Sequence, residues 1–334
     1  MIKNIITIIL SLIVCAWAFY INQYAGVLQI ILTLLVYWMV LFSIHYFWRS
    51  FRKKSIMDFN QFMRNFALSA TSFIVVISAS LGYFGYYHNI QNPVTIEQYT
   101  ITNGEKTVVF QNMIHIASEN FYEKITQEIT KYKQDGYVYF FEGVKLGSQE
   151  SSDAFNKALG VEFDENLYNN MSKLYGLVPQ DNSKFLWLVN DKDFNVDTNM
   201  DNIIQAYNDL KIERNVKKQY KTPVDINGQT IETLANLQGR ELQILVFINQ
   251  AILSAMTKND AIMKQIQNTF WNEELFEVIL HGRNKIVAEE IIQSEYNKIF
   301  ATYGALHFDG ILEILQQNDP NWKITETKEL IPFK

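Results

Sequence analysis

Three apolar stretches at the start of this chain limit what it can fold into. About residues 5–20, 27–48 and 66–87 contain no Asp, Glu, Lys or Arg. A hydrocarbon core about 30 Å thick takes roughly 20 apolar residues to cross as a helix, so the second and third stretches are long enough, and the first is slightly short. Trp38, Trp48, Tyr20, Tyr83, Tyr86 and Tyr87 lie in or near these stretches, and those at the ends suit an aromatic interface belt. The sequence therefore predicts a three-helix transmembrane region over residues 1–89 and a separate domain over 90–334.

Basic residues set the expected orientation. Arg49, Arg52, Lys53, Lys54 and Arg64 all fall between spans two and three. The positive-inside rule places that loop in the cytoplasm, which puts Lys3 there too and the domain after residue 89 outside the cytoplasm. Ala16-Trp-Ala18 loosely fits a cleavage site, but the very short link to span two favours a helical hairpin over a signal peptide. Leu12-Ile-Val-Cys15 is a poor lipoprotein box, and Cys15 reads as a membrane-embedded thiol.

Charge narrows the partners of the outer domain. The chain has 29 basic and 35 acidic residues. Setting aside Lys3, Arg49, Arg52, Lys53, Lys54, Arg64 and Asp58 leaves 23 basic against 34 acidic side chains, a net charge of −11. Nucleic acid and anionic lipid are disfavoured as partners of such a domain, whereas cations suit it. Cys15 is the only cysteine, so the outer domain has no disulfide and relies on a core that its length can bury.

Patterning along the outer domain reads as α/β with a mostly helical middle. Thr95–Thr102 alternates, Asn103-Gly104 marks a hairpin, and Lys106–Phe110 returns. Ser118 is an N-cap candidate for a helix with Phe121, Ile125 and Ile129 on one face, ended by Asp135-Gly136. Tyr137–Phe141 is a buried-strand run that stops at Glu142. Helical spacing covers Ser152–Leu159, Glu165–Tyr175, Met200–Leu210, Ile231–Met256 and a long stretch from Asn259 broken near Asn268 or Asn272. Phe185–Val189 is ambiguous. Ile299–Tyr303 is another strand, Gly310 opens a helix, and Trp322–Lys328 is the final strand.

Within this pattern one local shape occurs twice. Thr107-Val-Val-Phe-Gln-Asn-Met-Ile-His115 and Ile299-Phe-Ala-Thr-Tyr-Gly-Ala-Leu-His307 each run from an apolar strand through a small or turn-forming residue to a histidine. Strands that feed helices build parallel sheets, whose ligands sit at the carboxyl ends of the strands. βαβ units of this kind would place His115, His307 and Glu142 at one sheet edge. Two imidazoles and a carboxylate are a competent set for a divalent ion such as Mn, Co or Zn. Glu142 could instead act as general base on a water, and Arg283 could hold a substrate carboxylate or an oxyanion, or simply pair with Glu142. Asp309 is a minor candidate that reads better as a helix N-cap.

In this order the landmarks resemble the TraB/GumN family, which includes the TIKI ectoproteases and pheromone-shutdown proteins. The matching stretches are Asn112-Met-Ile-His115, Phe141-Glu142-Gly143, Gly176-Leu-Val-Pro-Gln180, Arg283-Asn284 with Val287-Ala288, and Gly304-Ala-Leu-His307 with Gly310. Together they cover about residues 95–330. Asn112 stands where the family has its first Gly, and Asn tolerates a left-handed backbone better than most residues. Three spans ahead of the domain also differ from a single anchor. The resemblance implies a membrane-anchored, metal-dependent hydrolase, a peptidase acting on exported peptides or proteins. The alternative is a non-catalytic, membrane-tethered peptide-binding or regulatory module.

Overall fold

A computed structural model describes residues 2–52, 58–159, 165–213, 234, 237–259, 261 and 272–334. The chain divides into two compact units, Met1–Gln91 with Leu237–Ala251, and Asn92–Asn236 with Ile252–Lys334.

The first unit holds three helices long and apolar enough to cross a membrane, Asn4–Gln23, Gly26–Phe51 and Phe59–Gln91. The first two form one run, broken where Asn22 and Gln23 leave helical geometry. Gln23 takes the left-handed φ of 49°. A Cβ on Gly26 would lie 2.5 Å from the Ala18 carbonyl oxygen, so the reversal requires glycine there. Span three starts before the apolar stretch does, because the Asp58 carboxylate caps it by accepting from the Asn60 and Gln61 amides. Trp38 and Phe42 both meet Phe59 edge-on, and Phe42 also meets Phe62. Lys53 and Lys54 lie outside the described residues. Residues 237–251 also belong to this unit, although helical spacing alone had assigned them to the middle of the outer domain.

The second unit is a mixed α/β domain built on a six-stranded sheet. Its strands are β1 (Ile96–Thr102), β2 (Thr107–Met113), β4 (Val138–Phe141), β6 (Phe194–Asn195), β7 (Lys298–Gly304) and β8 (Lys323–Leu330), in the order β6-β4-β7-β2-β1-β8. Two further short strands, β3 (Ile116–Ala117) and β5 (Val178–Pro179), pair with each other. β1 is antiparallel to β2 and to β8. β7 lies in the middle, parallel to β2 on one side and to β4 on the other, and β6 extends the parallel part beyond β4.

Alternation along the central strands splits the core in two. Val108, Phe110, Ile299, Ala301 and Tyr303 pack with Val287 and Ile291 of helix Arg283–Gln293 and with Ile311 and Leu315 of helix Phe308–Asn318. Val109, Met113 and Phe300 face the other way, against Phe121, Ile125 and Ile129 of helix Glu119–Gln134. A run buried on both faces is what a central parallel strand requires. Ser118 caps helix Glu119–Gln134 by accepting from the Phe121 amide at 3.1 Å, and Gly136, with φ 85°, turns the chain back into β4.

Four points left open, unmarked or misplaced by the sequence are decided by the structure. Phe185 and Leu186 end a short helix, Asn182–Leu186, so the ambiguous run starts as helix. Phe194–Asn195 forms the edge strand that no periodicity marked, since two residues are too few to carry a period. Asn272 caps the helix Glu273–Glu277, accepting from Leu275 N at 3.1 Å, whereas Asn268 lies outside the described residues. Asp309 sits in the first turn of helix Phe308–Asn318 and not at its N-cap, which is His307.

Candidate active site

Parallel pairing brings three strand ends to one edge. β2 stops at Met113, β4 at Phe141 and β7 at Gly304, and backbone hydrogen bonds continue past them, from Ala305 N to Met113 O at 3.0 Å and from Glu142 N to Thr302 O at 3.1 Å. His115, Glu142 and His307 all follow these ends.

Glu142 is the best-anchored of the three. Its Oε2 accepts from the Gly304 amide at 2.6 Å, and its Oε1 accepts from Arg283 Nη2. Arg283 is held in turn by Asp197. Nε donates to Oδ1 at 2.9 Å and Nη2 to Oδ2 at 2.8 Å, the two-pronged contact that suits a planar guanidinium. The Asp197 side chain is completely buried. It also accepts from the Gly143 amide at 3.0 Å and the Thr198 amide at 2.8 Å. One carboxylate therefore fixes both the arginine that touches Glu142 and the backbone that follows it. Burial works against the guanidinium charge, but the Asp197 hydrogen bonds and the Glu142 charge outweigh it, so the Arg283 pKa rises.

His307 is buried beside this network. Its Nδ1 lies 2.7 Å from Asn284 Oδ1, an oxygen that can only accept, so the proton is on Nδ1 and Nε2 keeps its lone pair. The Tyr303 ring meets the imidazole edge-on at 4.9 Å, and the Arg283 guanidinium lies 5.2 Å from the centre of the same ring. A Cβ added to Gly304 would lie 3.4 Å from both Glu142 Oε2 and His307 Cδ2, so the carboxylate and the imidazole both approach the bare face of that glycine. Gly310 is needed for a different reason. A Cβ there would sit 2.1 Å from Asn284 Nδ2, so the amide that orients His307 can approach only a bare backbone.

Desolvation, helped by Arg283, lowers the His307 pKa from 6.5 to about 4. The ring is therefore neutral across the physiological range. Between about pH 6.5 and 4 the unfolded chain binds a proton here that the native state refuses, so stability falls as pH falls through this window. His307→Gln is expected to flatten that part of the melting-temperature profile. Nitrogen-15 NMR of wild-type protein should find this ring still neutral at the pH where a free imidazole is half protonated.

His115 behaves differently from the other two. It is exposed, its ring centre is 6.0 Å from that of Tyr168, and its carbonyl accepts from Gln180 N at 2.8 Å. A cleft of about 490 Å³ opens between His115, Glu142, Gly143, Tyr168, Pro179 and Gln180. So His115 and Glu142 share a cleft, Arg283 and Asp197 stand behind Glu142, and His307 is packed beneath. Among the described residues, no three His, Cys, Asp or Glu side chains stand close enough together to hold a metal ion. His307 has its Nδ1 committed to an orienting partner, which leaves Nε2 as a donor of the right chemistry, but it does not line the cleft that His115 and Glu142 share.

Asn112 departs from its sequence expectation. It is not left-handed but extended within β2, opposite Tyr303 in register, and buried. Its Oδ1 is buried with no hydrogen-bond partner among the described residues. The residue that sequence reasoning missed is Asp197. Its only signal was position, since it is an acid just after the apolar Val196, as Glu142 is after Phe141. Asn284 was noted as a motif residue, but its role as the partner of His307 required the packing of two helices. No family model, curated protein or solved structure matches this chain.

Proposed function

We propose that this protein is a membrane-anchored hydrolase, a peptidase of exported peptides or proteins working at the parallel-sheet edge. The observation that carries the reading is the Glu142–Arg283–Asp197 network. The Asp197 carboxylate and the Arg283 guanidinium are taken out of water behind a cleft that Glu142 lines, at a cost in desolvation that hydrophobic residues would avoid. A polar cluster of that kind, with a neutral, oriented imidazole next to it, is the pattern of a functional site.

In this reading Glu142 still has lone pairs free after its two contacts and can accept a proton or hydrogen bond from a water in the cleft. Arg283 is the positioning partner, because its Nε and Nη2 are already committed. Asn284 fixes the tautomer of His307. His115, which also lines the cleft, would contact a peptide bound there. A divalent ion (Mn, Co or Zn) would need His115 and His307 brought within reach of Glu142, and would then supply water activation and polarisation of the scissile carbonyl.

The binding-module alternative has one observation in its favour: three metal donors are not assembled among the described residues. Metal analysis of the full chain, purified in detergent, separates the two. The hydrolase reading expects stoichiometric divalent metal that is lost in the His115→Ala/His307→Ala double variant. Metal-free wild type that binds but does not cleave peptides favours the module.

Orientation is part of the same proposal. With the basic loop between spans two and three in the cytoplasm, the C-terminal domain lies outside it. A reporter active only outside the cytoplasm is expected to work after Lys334 and to fail near Ser55. The reverse pattern rejects this topology.

A further inference from the structure

Residues Gly239–Ala251 open a helix that runs to Thr257, and they belong to the unit that contains the three apolar spans. Their contacts there are specific. Arg240 Nη1 donates to Tyr20 O at 2.6 Å, and its guanidinium lies 4.1 Å from the centre of the Tyr20 ring. Asn22 Nδ2 donates to Glu241 Oε1 at 2.7 Å. Asn89 Nδ2 donates to Phe247 O at 2.7 Å, and a Cβ on Gly85 would fall 2.1 Å from the Phe247 ring. The contacts on the spans come from the last turns of span one, Tyr20 and Asn22, and from the end of span three, Gly85 and Asn89. With two reversals between them, those two ends face the same side.

Depth follows from helix rise. At 1.5 Å per residue, the segment from Asn4 to Tyr20 climbs about 25 Å and that from Phe59 to Gly85 about 40 Å, against a hydrocarbon core of about 30 Å. The contact points are thus at the boundary between acyl chains and headgroups. Helical spacing places Arg240, Ile244, Phe247 and Ala251 on the face that meets the spans, with Ala251 fully buried. Leu242, Leu245 and Val246 fall on the other side, with Asn249 as the one polar residue among them, and all four are partly exposed. Apolar side chains turned away from the spans at this depth suit a helix lying against lipid at the membrane boundary, with the Arg240 guanidinium held at the Tyr20 end of span one.

We propose that residues 239–251 form an interfacial helix whose outer face, Leu242, Leu245 and Val246, is covered by the lipid of the bilayer that the three spans cross. This makes it a fourth membrane-associated element. The proposal is independent of any catalytic reading, since it uses none of the residues of the cleft.

The test uses the full chain in lipid nanodiscs with Cys15→Ser. Nitroxide labels go on single cysteines at Leu242, Leu245 or Val246, and on Glu105 in the exposed hairpin turn as a water-side reference. Collision with oxygen, which partitions into lipid, is compared with collision with a water-soluble nickel chelate. At least two of the three helix labels are expected to give an oxygen-to-nickel ratio well above that at Glu105. Ratios like that at Glu105 overturn the proposal by placing this face in water. Shielding from both reagents overturns it too, by placing a protein surface there. Three independent label sites guard against one that disturbs folding, and size-exclusion profiles of each variant check for it.

Discussion

Asp197→Ala is expected to lower the melting temperature of the second unit by roughly 6–20 °C. Asp197 is fully buried and holds both Nε and Nη2 of Arg283 together with the amides of Gly143 and Thr198. Removing one partner of a buried ion pair costs about 3–5 kcal/mol, because the remaining charge stays out of water with its donors unmet. In a domain of this size each kcal/mol moves the midpoint by roughly 2–4 °C. The surface pair Lys328–Glu128 is the control. Lys328 is largely solvated, so Lys328→Ala is expected to cost about 0–1 kcal/mol. Differential scanning calorimetry of the three proteins in detergent reads both effects. Equal small shifts would mean that the Asp197–Arg283 contact does not order the site.

Glu142→Gln separates catalysis from architecture. On any peptide that wild type cleaves, with Mn, Co or Zn supplied, the proposed mechanism expects a loss of about 10²–10⁴-fold in rate, the usual effect of removing a positioned acid–base group. The substitution is not silent structurally. Glu142 accepts from two donors, Arg283 Nη2 and Gly304 N. A glutamine has only one oxygen, so one of the two donors must meet its NH2 group. A moderate fall in melting temperature is therefore expected too. Turnover per folded molecule, with the folded fraction taken from the melt, is the quantity to compare. Undiminished turnover would sink the mechanism and leave the fold intact.

How much of the site was legible in the sequence depended on how local each signal was. His115, Glu142 and His307 were readable because each ends a strand whose apolar run is visible, and parallel pairing then puts those ends on one edge. Arg283 was legible through the Arg283-Asn284 stretch of the resemblance, but its role stayed open between holding a substrate group and pairing with Glu142. Asp197 follows a strand of only two residues, too short to carry a period, and its partner is 86 positions away. The reason for Gly310 is a clash with Asn284 that exists only when two helices pack.

The sequence by itself determined the three apolar helices, the hairpin at Asn103-Gly104, the cap at Ser118 and the stop at Gly136. Each of these rests on local chemistry: hydropathy over one span, a turn that needs φ above zero, a side-chain oxygen facing bare amides. Tertiary structure alone decided that β7 inserts between β2 and β4, that Asp197 shares Arg283 with Glu142, and that residues 239–251 pack with the membrane helices instead of remaining in the domain around them. Those outcomes depend on which surfaces lose water together. Residues far apart in the chain decide that jointly, so no window of sequence contains it.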